Sequence, residues 1–153
     1  MNARPQGRPT SPQWDAERLR RVLPIQASMG HVGSHEVAAC AGMTERAALM
    51  LLDRCAERGW AARDGADRCR ILWRVYPPPR LHPDEEPCTG ALDAVHRVVT
   101  AGGEMTTADV WEMTQHLREC THETVHAQLL TLEEFGEVVR LGRRGRHLLW
   151  RSA

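Results

Sequence analysis

THETVHAQLLTLEEFGEVVRLGRRGRHLLWR, residues 121–151, reads as a helix followed by a tight basic hairpin. Val125, Leu129 and Leu132 recur at i, i+4 and i+7, the spacing of one buried helical stripe, and Phe135 carries the apolar run to the helix end. Gly136 then stops the helix. The turn-forming string Gly142-Arg143-Arg144-Gly145, with Val139 and Leu141 before it and Leu148 and Trp150 after it, predicts a β-hairpin.

The same unit occurs earlier in the chain. A gapless shift of 77 positions lays Thr44 on Thr121, Gly59 on Gly136, Arg63 on Arg140, Gly65 on Gly142, and Leu72-Trp73-Arg74 on Leu149-Trp150-Arg151. A shift of 73 matches the part before it: Leu19 with Leu92, Val22 with Val95, Gly30 with Gly103, Ser34 with Thr107 and Val37 with Val110. The two shifts differ by 4, so the second copy carries a four-residue insertion around His116 to Cys120, where a turn belongs. Each copy reads helix, short helix, turn, helix, hairpin.

A chain of 153 residues accommodates two small domains, and the repeat favours that division. Apolar content of 42% beside 26% charged residues is ordinary for a globular protein. No run approaches the ~20 apolar residues of a membrane helix, so the expectation is no membrane and a cytoplasmic location. The five cysteines, 40, 55, 69, 88 and 120, are odd in number without framework spacing, which suits reduced thiols.

Net charge is zero, yet its distribution is uneven. Residues 91–153 hold nine acids, all between Asp93 and Glu137, and five of their seven arginines lie from Arg140 onward. Every basic residue is Arg, whose planar fork suits phosphate and guanine edges, although a codon habit of the genome would produce the same pattern.

Residues 1–13, rich in proline, read as a disordered arm, and Arg4-Pro5-Gln6-Gly7-Arg8-Pro9 is similar to an AT-hook with Gln6 departing from its core. The competing reading is a Pro-rich tail with two stray arginines. The first helix starts near Trp14 and buries Leu19, Val22 and Ile25, with Pro24 expected to kink or end it. Ser34 is placed as the N-cap of a second helix through Ala41, and its twin runs from Thr107 with Asp109 in the first turn.

The string EVAACAGMTERAALMLLDRCAERGWAAR, residues 36–63, resembles the helix-turn-helix and first wing strand of winged-helix DNA-binding proteins, with Gly42 at the turn and Thr44 capping the third helix. The resemblance covers roughly residues 14–76 and, through the repeat, 91–151. It implies a mostly α fold with small β-hairpin wings: an arm 1–13, winged-helix domains 14–76 and 91–153, and a Pro-rich linker 77–90. Five prolines between Pro77 and Pro87 make that linker a semi-rigid spacer, at ~3.1 Å per residue close to one turn of DNA.

In winged-helix proteins the third helix enters the major groove and the wing follows phosphates, and that is what the resemblance implies here. In the second copy the positions off the buried stripe are His122, Glu123, Thr124, Ala127, Gln128 and Thr131; Thr124 and Gln128 suit base edges and His122 a phosphate. Arg140, Arg143, Arg144 and Arg146, with His147, make a cationic tip. The alternative is a solvated hairpin that uses charge against edge pairing. In the first copy the corresponding face is Glu45, Arg46, Ala47, Leu49, Met50 and Arg54; Arg46, Arg68 and Arg70 could meet phosphate, while Leu49 and Met50 suit a protein partner or a homodimer.

His116, Cys120, His122 and His126 have the spacing H-x3-C-x-H-x3-H, and His31 and His35 repeat the interval, but Val125 and Leu129 mark a different face as core, so these read as surface histidines rather than a metal site. No nucleophile, phosphate loop or paired carboxylate stands out, so neither enzyme nor cofactor is expected. The reading is therefore a double-stranded DNA-binding transcriptional regulator acting through its second domain. Its rivals are a protein-interaction scaffold of the kind used in complex assembly or chromosome segregation, and a phage factor that blocks a host complex.

Overall fold

The computed structural model describes residues 9–68, 70–80 and 90–153, and the chain divides into two compact units, residues 1–85 and 86–153. The architecture is mixed α/β. The first unit holds α1 (Pro12–Met29), α2 (Ser34–Ala41), α3 (Glu45–Glu57), β1 (Ala61–Asp67) and β2 (Arg70–Val75). The second holds α4 (Ala91–Gly102), β3 (Met105–Thr106), α5 (Thr107–Thr114), α6 (His122–Glu134), β4 (Val138–Arg144) and β5 (His147–Ser152). Among the described residues there are six helices and two small antiparallel sheets, β1-β2 in the first unit and β3-β5-β4 in the second.

The two units repeat one another in register as well as in order. Arg63 pairs with Trp73 in the first hairpin and Arg140 with Trp150 in the second, and each ladder slips just beyond, at Gly65 and Gly142, whose φ angles are +119° and +122°. A bulge at a residue with positive φ calls for glycine, which is why that glycine recurs. The third strand, unforeseen from sequence, has its counterpart too. Met105 pairs with Trp150, and Val32 forms an isolated bridge with Trp73 through bonds of 3.0 and 2.7 Å.

Local sequence explains the helix ends. Thr44 and Thr121 accept from the backbone N–H groups of Ala47 and Thr124, both at 3.2 Å, satisfying donors that a helix start leaves free. Gly42 takes the left-handed conformation at the turn after α2, and Gly59 and Gly136, at +80° and +76°, turn the chain out of α3 and α6. Residues 42–44 join α2 to α3 whereas residues 115–121 join α5 to α6, so the insertion falls wholly in a connection.

Several expectations need correction. Helix α1 starts at Pro12, two residues before Trp14, where a missing N–H costs nothing, with Ser11 as its cap, so residues 12 and 13 are helical rather than part of a disordered arm. Pro24 does not end the helix, which runs on to Met29; Pro24 lies on the exposed side, while Trp14, Ala16, Leu19 and Val22 anchor the opposite side in the core. Ile25 is exposed rather than buried. Gly33 is the N-cap of α2, with its N–H bonded to Glu36, and Ser34 is the first helical residue. The second hairpin turns at Gly145-Arg146, since Arg144 pairs with His147; Gly142 is the bulge, and the shift it causes leaves Leu141 exposed. Part of the linker lies on its own unit: Pro78 is buried and Arg20 donates to the Pro79 carbonyl at 2.9 Å, which shortens the reach of the spacer. Residues 4–8 of the AT-hook-like segment and residues 81–89 lie outside the described residues.

Each unit has its own core. In the first, Val37, Ala48, Leu51, Leu52 and Cys55 are buried, as are Trp14 and Trp73; in the second, Val95, Val99, Val110, Val125, Leu129 and Leu132 cluster with Trp150. Each such aliphatic side chain contributes about 1.5–3 kcal/mol by leaving water. The first unit adds a buried ion-pair network. Asp15, fully buried, accepts two bonds from Arg54 Nε and Nη2 at about 3.0 Å and a third from Arg58 Nη2 at 3.1 Å. Arg18 lies 3.9 Å over the Trp14 ring, and burial, then repulsion from Arg21, pulls its pKa down to about 10.

Candidate nucleic-acid interface

The hairpin of the second unit is aimed by its bulge and its turn. Gly145, at a φ of +65°, opens a two-residue loop, and the strands beside it carry Arg143, Arg144 and His147 to the tip, with Arg146 in the loop itself. All four side chains are exposed. Among the described residues none of Arg143, Arg144 and Arg146 forms an ion pair.

Arg140 is different. Its guanidinium bonds to Glu133 Oε1 at 2.9 Å and lies 5.1 Å from the Trp150 ring centroid. Arg63, at the matching position, sits 5.4 Å over Trp73 and has Asp53 at 3.8 Å, both side chains exposed. Arg140 is thus engaged within its unit, and the cationic tip without ion pairs among the described residues is Arg143, Arg144 and Arg146.

Beside the tip, α6 supplies His122 and His126. An open hollow of about 310 Å³ lies between helix and hairpin, lined by Thr107, His122, His126, Arg143, Arg146, His147 and Leu148. The imidazoles of His122 and His147 are 6.4 Å apart, centroid to centroid, and Trp111 of α5 flanks His122 at 6.0 Å. The nearby acid is Asp109. Bonds from the Thr106 backbone and hydroxyl hold its carboxyl below the ordinary range, and the charges of Arg144 and His147 add to the effect.

Thr124 and Gln128 are half-buried on α6. The Thr124 hydroxyl is 2.8 Å from that of Thr121 and so belongs to the helix cap, which leaves Gln128 the freer of the two for a base edge. Cys120 does not join the histidines. It is buried in the core of the second unit, burial raises its thiol pKa, and among the described residues no three His, Cys, Asp or Glu side chains are grouped to hold a metal ion.

The first unit ties its charges down. Arg70 is paired with Glu36 and packs so close to Gly33 that a Cβ there would meet its Nη2 at 2.8 Å. Asp64 receives Arg74 at 2.9 Å and His31 at 2.7 Å, and those two bonds, Arg74 first, hold its carboxyl below the usual value. Ala47 is buried and Arg54 is committed to Asp15, so neither belongs to an open face. Arg46 and Arg68 are exposed, Arg68 in the left-handed region at +57°, at the position Gly145 holds in the second copy. Leu49 and Met50 remain 38% and 43% exposed on α3.

The structure places Thr107, which was not among the expected site residues, in one hollow with His122, Arg143 and Arg146, which were. The repeat, which lays Thr107 on Ser34, held the signal. Comparison with known proteins returns no matching family model and no matching curated sequence.

Proposed function

We propose that the chain is a duplex-DNA-binding transcriptional regulator of tandem winged-helix type, with the second unit as its reader. The observation that carries this reading is the set of three exposed guanidiniums, Arg143, Arg144 and Arg146, without ion pairs among the described residues and beside the first turns of α6. Such a tip anchors phosphates by charge, and Gln128 and His122 on the adjoining helix meet base edge and backbone. No helix among the described residues is long and apolar enough to cross a membrane.

A second reading concerns the first unit. Three of its four hairpin arginines, Arg63, Arg70 and Arg74, are paired with acids, and Leu49 and Met50 are exposed, which favours a protein partner or a second copy of the chain there. Titration of the full chain against a labelled random duplex, beside an Arg143→Glu/Arg144→Glu variant, tests the DNA reading. Binding is expected for the wild type and lost in the variant; equal binding by both refutes it. Size measurement of Leu49→Glu/Met50→Glu beside the wild type tests the first unit's face.

A further inference from the structure

The hollow beside the second hairpin is best understood against its counterpart in the first unit. There Ser34 Oγ donates to Glu45 Oε1 at 2.8 Å, and Arg70 pairs with Glu36, so the domain's own carboxylates satisfy the hydroxyl and the hairpin cation. By the shifts of 73 and 77, Ser34 corresponds to Thr107, Glu45 to His122 and Arg70 to His147. The second unit has therefore replaced the acid on the helix with an imidazole, and no carboxylate lines its hollow.

Thr107 supplies the decisive detail. It is only 4% exposed, and its Oγ1 accepts from Trp150 Nε1 at 3.0 Å, which fixes the hydroxyl without using its proton. Among the described residues that proton has no acceptor. In the first unit the hydroxyl turns to Glu45 instead, and Trp73 Nε1 has no hydrogen-bond partner among the described residues. Thus the second unit lines one hollow with a buried hydroxyl free to donate, two guanidiniums, Arg143 and Arg146, and three imidazoles, His122, His126 and His147, each able to donate whatever its charge. Asp109 is the acid that acts electrostatically on His147, and its carboxylate is already bonded to Thr106.

We infer that this hollow seats a single phosphate group, where the first unit places the carboxylate of Glu45. The phosphate oxygens accept from Thr107 Oγ1, from the imidazoles and from the two guanidiniums. That phosphate can belong to a nucleic-acid backbone or to a free phosphorylated small molecule, and a hollow of about 310 Å³ has room for more than the phosphate alone. The backbone case rests on the DNA-binding reading above; the small-molecule case does not.

The test uses the full chain and the variant His122→Glu, which restores the first unit's acid. An acid at the first turn of a helix is favourable to the helix dipole, so the variant is expected to fold. His147→Gln serves as a second variant that adds no acid. Imidazole resonances are followed during titration with inorganic phosphate and with adenosine monophosphate, against chloride at matched ionic strength, and affinity for a labelled duplex is measured in parallel. Phosphate is expected to shift the resonances of the wild type where chloride does not. Losing one charge-assisted bond makes binding roughly tenfold or more weaker in His122→Glu. If the seat serves the backbone, duplex affinity falls with it and inorganic phosphate competes with the duplex; if it serves a small molecule, phosphate binds and duplex affinity holds. A wild type that responds to phosphate only as it does to chloride overturns the seat, as does an unchanged response in His122→Glu. Absence of duplex binding beside intact phosphate binding overturns the DNA reading and leaves the seat standing.

Discussion

On the proposed DNA-binding reading, removing the guanidiniums of Arg143 and Arg144 should change how binding responds to salt, by an amount that follows from the geometry. Counterion release makes log K fall against log salt with a slope of about −0.9 per phosphate neutralised. Of the four arginines between Arg140 and Arg146, Arg140 is engaged by Glu133 and Trp150, which leaves three at the tip: Arg143, Arg144 and Arg146. The tip then contributes a slope of about −2.7, and an Arg143→Ala/Arg144→Ala variant keeps about −0.9 from it. Between roughly 50 and 200 mM salt the tip's share of affinity falls about 40-fold in the wild type and about 3- to 4-fold in the variant. Fluorescence anisotropy with a labelled duplex at several salt concentrations reads both lines. Because both side chains are exposed and form no ion pair among the described residues, the unfolding free energy of the variant in urea should match the wild type within about 0.5 kcal/mol. Parallel salt lines with unequal intercepts would refute the reasoning, since they would mean that the arginines act through something other than phosphate charge.

Three further predictions concern stability. Asp15→Ala leaves Arg54 and Arg58 partly buried without their partner, so the first unit should lose about 3–5 kcal/mol in urea unfolding while the second keeps its midpoint; a loss under 1 kcal/mol would show the network to be dispensable. Arg68→Gly relieves a left-handed backbone conformation that glycine adopts at the matching turn, and the first unit should gain about 1 kcal/mol in denaturant; no gain would mean that the arginine is not strained. The depressed pKa of Asp109 means that its cap stabilises the second unit fully above the unfolded aspartate value, ~3.9, and less as pH falls through the lower folded value. The melting temperatures of wild type and Asp109→Ala should therefore be furthest apart near neutrality and converge as the solution becomes more acid; a gap that stays constant in acid would contradict this.

The helices and their ends were legible in the chain because they depend on local chemistry. Thr44, Thr121, Gly42 and Gly136 mark helix boundaries wherever a backbone N–H or a left-handed turn must be satisfied, and they do so without reference to distant residues. The boundaries that misled, Pro24 and Ser34, are those where packing outweighs the local signal. Trp14, Leu19 and Val22 hold α1 in the core and carry it past the proline, and Glu36 reaches back to cap α2 through the Gly33 N–H. The hairpin turn was misplaced for a similar reason. Gly142 and Gly145 both announce a turn, and only the pairing of Arg144 with His147 tells which makes the loop and which the bulge.

What the sequence determined by itself is the repeat, the buried stripes and the clustering of arginine near residue 143, because periodicity and composition are properties of neighbours along the chain. Which arginines are ion-paired was decided only by tertiary structure. Arg140, Arg63 and Arg70 find their carboxylates across elements, at Glu133, Asp53 and Glu36, while among the described residues Arg143, Arg144 and Arg146, at and beside a turn, form no ion pair. Thr107 gains its meaning in the same way, since a hydroxyl becomes a fixed donor only when Trp150, 43 residues further on, folds against it.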